Sequence, residues 1–239
     1  MAGVSQEWSL QRAVVLIAAM VAVLASAPVD AQAFNYPSLQ LPTASTRDYT
    51  AGIVGGRGST IVVQWRERFT AGSQFGVDAG LADPQTRNSL LLFVAGSAGQ
   101  EVLRASGDQP LDILATAGVG LALGGRTSLL RVPIGASIGH TFDLGETSAG
   151  MSVTPYIHPR LSLDVCNNCA GPNGRQANVS VNFDLGASLQ VNRQFAVRAA
   201  GVFSGGNLLG TGDAFTVGFT WTPPALSTSV VPRDAAKSP

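Results

Sequence analysis

The sequence predicts an all-β fold, an up-and-down antiparallel transmembrane β-barrel of about ten strands, although eight strands would also fit the pattern. Three observations lead to this prediction. Apolar and polar residues alternate along most of the chain, tight links join several alternating segments, and no apolar run beyond residue 33 is long enough for a membrane helix. In addition, only 13% of the residues are charged and Lys237 is the only lysine, whereas soluble domains have about 25% charged residues.

The first 33 residues are predicted to be a cleavable signal peptide. Arg12 precedes an unbroken apolar run at 13–25, and Ala31-Gln32-Ala33 matches the small-residue cleavage pattern, which would make Phe34 the first residue of the mature protein. The apolar run is shorter than the roughly 20 residues that span a bilayer as a helix, so an uncleaved anchor is the less favoured alternative. For a barrel, export through such a signal predicts the cell outer membrane as the final location.

The barrel domain is predicted at 48–222. Its clearest segment runs from Met151 to Val165, where every odd-numbered residue is apolar and every even-numbered residue is polar, a period of two that a helix cannot use. The same reading along the chain gives strands near 48–55, 59–69, 73–82, 89–97, 111–123, 128–143, 151–165, 178–191, 194–203 and 214–222.

The links between strands predict the topology. Ala71-Gly72 and Asn192-Arg193 are so short that the strands they join must be antiparallel neighbours. The stretch 97–110 is long, and we expect a short helix in it around Gln100 to Ala105. Outside the barrel, 34–47 is predicted to be a periplasmic lead-in and 223–239 a flexible tail.

Alternation alone does not say which face points outward. A soluble, lipocalin-like periplasmic barrel that binds a lipid or another ligand would turn its apolar face inward, and a membrane barrel would turn it outward. The polar face is rich in Gly, Ser, Thr and Asn, which suits a crowded interior, and most strands reach the roughly 9–11 residues that cross a bilayer at a tilt. Aromatic residues gather at strand ends, where a membrane barrel has its interfacial girdles: Tyr49, Trp65, Phe69, Phe75, Phe142, Phe195, Phe203, Phe215 and Trp221.

The last predicted strand carries Phe215-x-Val217-x-Phe219-x-Trp221. Together with the signal peptide and about ten alternating strands, it resembles the small outer-membrane β-barrel proteins of the OmpA-transmembrane-like and opacity-porin-like group. The resemblance covers roughly 34–222 and implies outer-membrane lipids and the barrel-assembly machinery as partners of a monomer. Trp221 is followed by a tail instead of ending the chain, which departs from the family pattern, and that tail is too short for a peptidoglycan-binding domain.

The predicted polar face carries charges of both signs in equal number. In a narrow lumen such charges are expected to pair, so we predict a structural salt-bridge network that fills the barrel, with a narrow hydrated pore as the alternative. The predicted lumen network is Arg66, Arg68, Asp78, Asp112, Arg131, Asp143, Arg160, Asp164, Asp184 and Arg198.

Cys166 and Cys169 are the only two cysteines and fall in the predicted loop 165–177. In an exported protein, two close cysteines predict a local disulfide. A zinc site would need further Cys or His ligands close by, and a thioredoxin-like site would need a βα context.

No set of residues predicts catalysis, cofactor binding or metal binding. His158, Ser162 and Asp164 are spaced along one strand and do not converge, and the formal net charge of +0 gives no basic surface for nucleic acid. We therefore expect a non-enzymatic outer-membrane barrel that is structural or presents loops at the surface. A narrow passive pore and a soluble lipocalin-like barrel are the alternatives.

Overall fold

The computed structural model describes residues 38–56, 58–84, 90–144, 150–168, 174–204 and 213–224, so the predicted signal peptide lies outside the described residues. Ten long strands and one two-residue strand form a single antiparallel sheet, which confirms the all-β prediction and the count of ten. The strands are β1 (Arg47–Gly55), β2 (Gly58–Thr70), β3 (Ser73–Pro84), β4 (Leu91–Leu103), β5 (Asp112–Gly124), β6 (Thr127–Gly139), β7 (Phe142–Asp143), β8 (Ser152–Asn167), β9 (Arg175–Gln190), β10 (Phe195–Ser204) and β11 (Ala214–Trp221).

The sheet closes on itself. β1 pairs with β11 from Tyr49 opposite Trp221 to Gly55 opposite Phe215, while consecutive strands pair around the rest of the barrel. β6 and the short β7 both pair with β8, so β7 continues β6 after an interruption at 140–141. The predicted strand 128–143 is therefore divided in two.

The expected helix in 97–110 is wrong. β4 extends to Leu103, and the part that sequence analysis placed in a loop pairs with β3, as in Ser73 opposite Gln100. Small residues at 95–99 give little contrast between the two faces, which is why alternation did not reveal this half of the strand. A tight turn with reciprocal backbone hydrogen bonds between Ser106 and Gln109 follows.

The connections between strands alternate between the two ends of the barrel. We call the proximal end the one where β1 begins, and it also holds the links after β2, β4, β7 and β9. The distal end holds the links after β1, β3, β5, β8 and β10. The connections after β3, β8 and β10 are therefore all on one side of the barrel.

The outer wall is apolar. Long aliphatic side chains point outward along the strands, and Ile53, Val179 and Val181 have 66%, 65% and 58% of their surface exposed. Glu67 also points outward. It lies opposite Arg47 in the β1–β2 register and forms an ion pair with it near the proximal end.

Most aromatic side chains of the proximal end lie on one side of the barrel. They occupy five adjacent strands, β3, β2, β1, β11 and β10, and several stack, such as Tyr49 on Trp221 with ring centroids 5.7 Å apart. Phe142 of β7 lies outside this group. Trp65 meets Phe75 edge-on at 4.9 Å. Aromatic residues at a bilayer interface anchor a barrel, so this half of the proximal rim has the stronger anchor.

Candidate functional site

The distal part of the lumen is closed by apolar side chains. This distal apolar layer draws one residue from each of eight strands: Val54, Val62, Phe93, Ala122, Leu129, Cys166, Val202 and Ala214. The Phe93 ring is 1% exposed and lies across Gly80, where a Cβ atom would come within 2.5 Å of the ring. A glycine is therefore required opposite this ring.

The middle of the lumen is a layer of buried ion pairs, which we call the charge layer. Arg131 pairs with Asp164 at 2.8 Å, directly opposite in the β6–β8 register. Arg160 reaches Asp184 at 2.6 Å. The other two ion pairs are Arg66 with Asp78 and, at 2.8 Å, Arg198 with Asp48.

A glycine makes room for one of the long arginine side chains. A Cβ on Gly76 would lie 2.6 Å from Arg66 Cδ. Arg198 reaches from β10 across β11 to Asp48 on β1, and the β11 residue opposite Arg198 in the register is Gly218, where a Cβ would instead lie 3.0 Å from Thr50 and 3.2 Å from Leu39. Gly76 is therefore what allows Arg66 to lie along the wall of so narrow a barrel.

Three residues of the predicted network lie elsewhere. Arg68 donates to the carbonyl of Ala44, Asp112 accepts from the backbone N–H of Ala105 at 2.8 Å, and Asp143 lies exposed in β7. Sequence analysis missed Asp48, which pairs with Arg198. The signal was present, because Asp48 is in phase with Thr50, Gly52 and Val54 on the lumen face of β1.

The described part of the predicted lead-in, 38–46, lies inside the barrel, and we call it the lumen segment. It runs from β1 at the proximal rim inward to Ser38, whose backbone N–H and hydroxyl both donate to Asp184 at 2.9 Å. Ser137 donates to the Gln40 carbonyl at 2.6 Å, and Gln74 donates to the Gln40 side chain at 2.9 Å. Leu39, only 1% exposed, packs with Tyr156 and Ala200. Sequence analysis could not place this segment, since it does not alternate and its partners are distant in the chain.

His158 links the lumen segment to the barrel wall. Its Nδ1 is 2.6 Å from the Ser38 hydroxyl, and its Nε2 is 2.9 Å from the Thr116 hydroxyl. Because the single Ser38 hydroxyl proton goes to Asp184, His158 Nδ1 is the donor to Ser38. Ser162 instead accepts from Asn182, so His158, Ser162 and Asp164 do not converge.

A small cavity of about 80 Å³ remains beside the inner end of the lumen segment, lined by Ser38, Thr116, His158 and the arginines 66, 131 and 160, among others. By this measure a water molecule needs roughly 10–15 Å³, so the cavity holds only a few waters. Its lining combines these polar side chains with alanine, glycine and proline surfaces.

The structure changes the setting of the predicted disulfide. β8 extends to Asn167, so Cys166 is the last inward-facing residue of that strand and is fully buried in the distal apolar layer, not in a loop. Cys169 lies outside the described residues, and its pairing with Cys166 stays a prediction.

An apolar outer wall around a lumen filled with buried ion pairs is the arrangement of a transmembrane β-barrel, and it does not favour the lipocalin-like alternative, which required the reverse. In the described residues, no helix is long and apolar enough to cross a membrane.

Comparison with known proteins adds little to this assignment. No protein-family model matches the chain, and no curated protein matches it significantly. Among solved structures, the chain is similar to the KdgM porin, with a TM-score of 0.39 and 8% identity over 74% of this chain and 99% of that one. The KdgM porin in complex with disordered oligogalacturonate gives a TM-score of 0.38 and 10% identity over the same shares. Membership of the OmpA-transmembrane-like and opacity-porin-like group stays a prediction.

Proposed function

We propose that this chain is a non-enzymatic outer-membrane β-barrel that is closed along its axis, and that its role is structural or surface-presenting. The observation that carries the proposal is the inversion of the barrel: exposed Ile, Val and Leu outside, and buried Arg–Asp pairs inside. Exposing such an outer wall to water would cost a free energy of about 25 cal/mol for each Å² of apolar surface, whereas contact with lipid tails avoids that cost.

Closure of the lumen is supported at both ends. The lumen segment occupies the proximal part and the distal apolar layer fills the distal part, with the charge layer between them. A cavity of about 80 Å³ lies beside the inner end of the segment. A water-filled channel would need a continuous hydrated path, and this cavity has room for only a few waters.

A narrow passive pore is the second candidate, and the cavity beside Thr116 and His158 favours it. Both signs of charge balance in the lumen, so such a pore would have little preference between anions and cations. It would also require the lumen segment and the distal apolar layer to move aside.

The test has two stages. Fractionation of expressing cells should place the protein in the outer membrane, and an unheated sample should migrate differently from a heated one on a gel, as an intact barrel does. Recovery from the soluble periplasmic fraction would contradict the membrane proposal. Planar bilayers containing the purified protein should then show no steady conductance, and a stable small conductance in every insertion would favour the narrow pore.

A further inference from the structure

The lumen segment is bound to the barrel in an unusual way. Apart from Thr46, whose carbonyl accepts from the Arg68 N–H, the segment is bonded mainly by side chains of the wall and not by a neighbouring strand. Two further hydrogen bonds lie within the segment, from Gln40 N–H to the Ser38 hydroxyl and from the Gln40 side chain to the Leu41 carbonyl. Ala44 N–H donates to Glu101 at 2.8 Å, and Ser45 N–H donates to Gln74 at 2.8 Å. The wall therefore holds the segment as it would hold a bound peptide, through polar side chains. Water could replace the segment as the hydrogen-bond partner of those side chains.

Only a few apolar side chains anchor the segment. Leu39 is the only large aliphatic side chain among its buried residues, which also include Gln40, Pro42 and Ala44, while Ser38, Leu41, Thr43 and Ser45 stay half-buried. Leu39 also has φ of 51°, in the left-handed region that is unfavourable for a leucine. Such a conformation persists only where the surroundings impose it, and it is typical of segments that can change state.

We propose that the lumen segment is a displaceable plug, a part of the chain that occupies a vestibule opening at the proximal end. Leaving the lumen would free Leu39 from its left-handed conformation. The side chains that bind the segment, such as Gln74, Ser137 and Asp184, would then face water in a vestibule continuous with the present cavity. The distal apolar layer would remain as the floor of that vestibule. This inference deepens the proposed function and rests on it for the membrane setting.

The experiment measures access to the wall beneath the segment. In a full chain with Cys166→Ala and Cys169→Ala, one reporter is Thr116→Cys, which lines the cavity. The other reporter is Leu121→Cys on the same strand, which does not line the cavity and whose side chain is 38% exposed on the outer wall. The folded protein in detergent is treated with a small charged thiol reagent, and the rate of labelling is followed at each reporter.

The plug is displaced by Leu39→Glu, which puts a charge against Tyr156 and Ala200 and leaves every wall residue intact. Thr43→Glu adds the same charge at a half-buried position and is the matched control. A second displaced chain replaces 38–44 with a Gly-Ser sequence of equal length. The labelling rate is proportional to the fraction of molecules in which the segment has left the lumen. We therefore expect about a tenfold or larger increase at Thr116→Cys in both displaced chains and little change with Thr43→Glu.

Each outcome decides the matter. An increase confined to Thr116→Cys supports a plug. An unchanged rate in both displaced chains would overturn it, because the wall would then be sealed without the segment. An increase at both reporters would also overturn it, since the barrel would have unfolded and the segment would be part of the fold. Labelling in detergent does not depend on conductance or cell fractionation, so failure here is distinguishable from failure of the proposed function.

Discussion

The two ends of the lumen are closed by different means. At the distal end, side chains of the wall itself meet across the axis, with Phe93 lying on Gly80 and Leu129, Val62 and Val202 around it. At the proximal end, a separate stretch of chain is drawn inside and held by hydrogen bonds to Gln74, Ser137 and Asp184. One closure is built from packing and the other from polar contacts.

This difference has a physical consequence. An apolar layer gains its stability by excluding water, so it cannot open without exposing that surface. A hydrogen-bonded segment exchanges its contacts for water at a much lower net free energy, because a typical buried hydrogen bond contributes only about 0.5–1.5 kcal/mol. The distal end is therefore expected to be the permanent closure and the proximal end the one that can change.

The largest expected effect is that of Asp184→Ala. Asp184 is 0% exposed and binds both Arg160 and Ser38, so its loss removes a buried carboxylate that Arg160 binds and frees the inner end of the segment. We expect a loss of about 3–5 kcal/mol in the free energy of unfolding. Urea titration of the barrel in detergent, read by the heated and unheated gel, measures it.

Asp143→Ala is the matched control for that experiment. Asp143 belongs to the same predicted network but lies exposed in β7, so its loss should stay within about 0.5 kcal/mol. If Asp184→Ala changed the free energy of unfolding as little as Asp143→Ala does, the ion pairs that Asp184 makes in the lumen would contribute nothing to stability.

Phe93→Ala tests the distal end. Removing a buried ring from the apolar layer should cost about 3–5 kcal/mol, and Phe93→Leu should cost clearly less because it leaves a smaller cavity. Neither change alone should produce conductance while the lumen segment is in place. Phe93→Ala combined with Leu39→Glu should conduct in planar bilayers. Steady conductance from Phe93→Ala alone would show that the proximal closure is not a seal.

The sequence allowed the wall to be predicted in some detail and the lumen only in part. Period-two alternation marks every strand that has one apolar and one polar face, as in Met151 to Val165, because the two environments differ sharply. It fails where both faces carry small residues, as in the second half of β4. It also cannot say which strand lies opposite which across a closed barrel, so the Arg198–Asp48 pair, two strands apart, was out of reach.

The lumen segment was missed for a related reason. Its residues carry no period, since a chain held by scattered side chains repeats nothing. Ser38 meets Asp184 and His158, which are 146 and 120 positions away. Only the closed barrel brings them together, so no local pattern could have revealed the contact.

Val181→Arg compares the lumen with the outer wall. Val181 lies in the middle of β9 with its side chain 58% exposed on the lipid-facing side. If it meets the bilayer near its midplane, the substitution should cost about 2–4 kcal/mol in lipid, and Val181→Leu should be close to neutral. Unfolding in vesicles measures the difference. A soluble and fully stable Val181→Arg protein would contradict the membrane barrel.

The smallest expected effect distinguishes strain from packing in the lumen segment. Leu39→Ala and Leu39→Gly both remove the side chain that packs against Tyr156 and Ala200, so both should destabilise the barrel. They differ in the backbone, because alanine in the left-handed region costs about 1–2 kcal/mol and glycine adopts it freely. In a regular strand, glycine would be the less stable of the two. Here Leu39→Gly should be the more stable by about 1 kcal/mol. The midpoints of urea unfolding, measured side by side in the same detergent, give the sign. Greater stability of Leu39→Ala would show that the φ of 51° is not maintained in solution. Backbone strain at Leu39 would then no longer support the proposal of a displaceable plug.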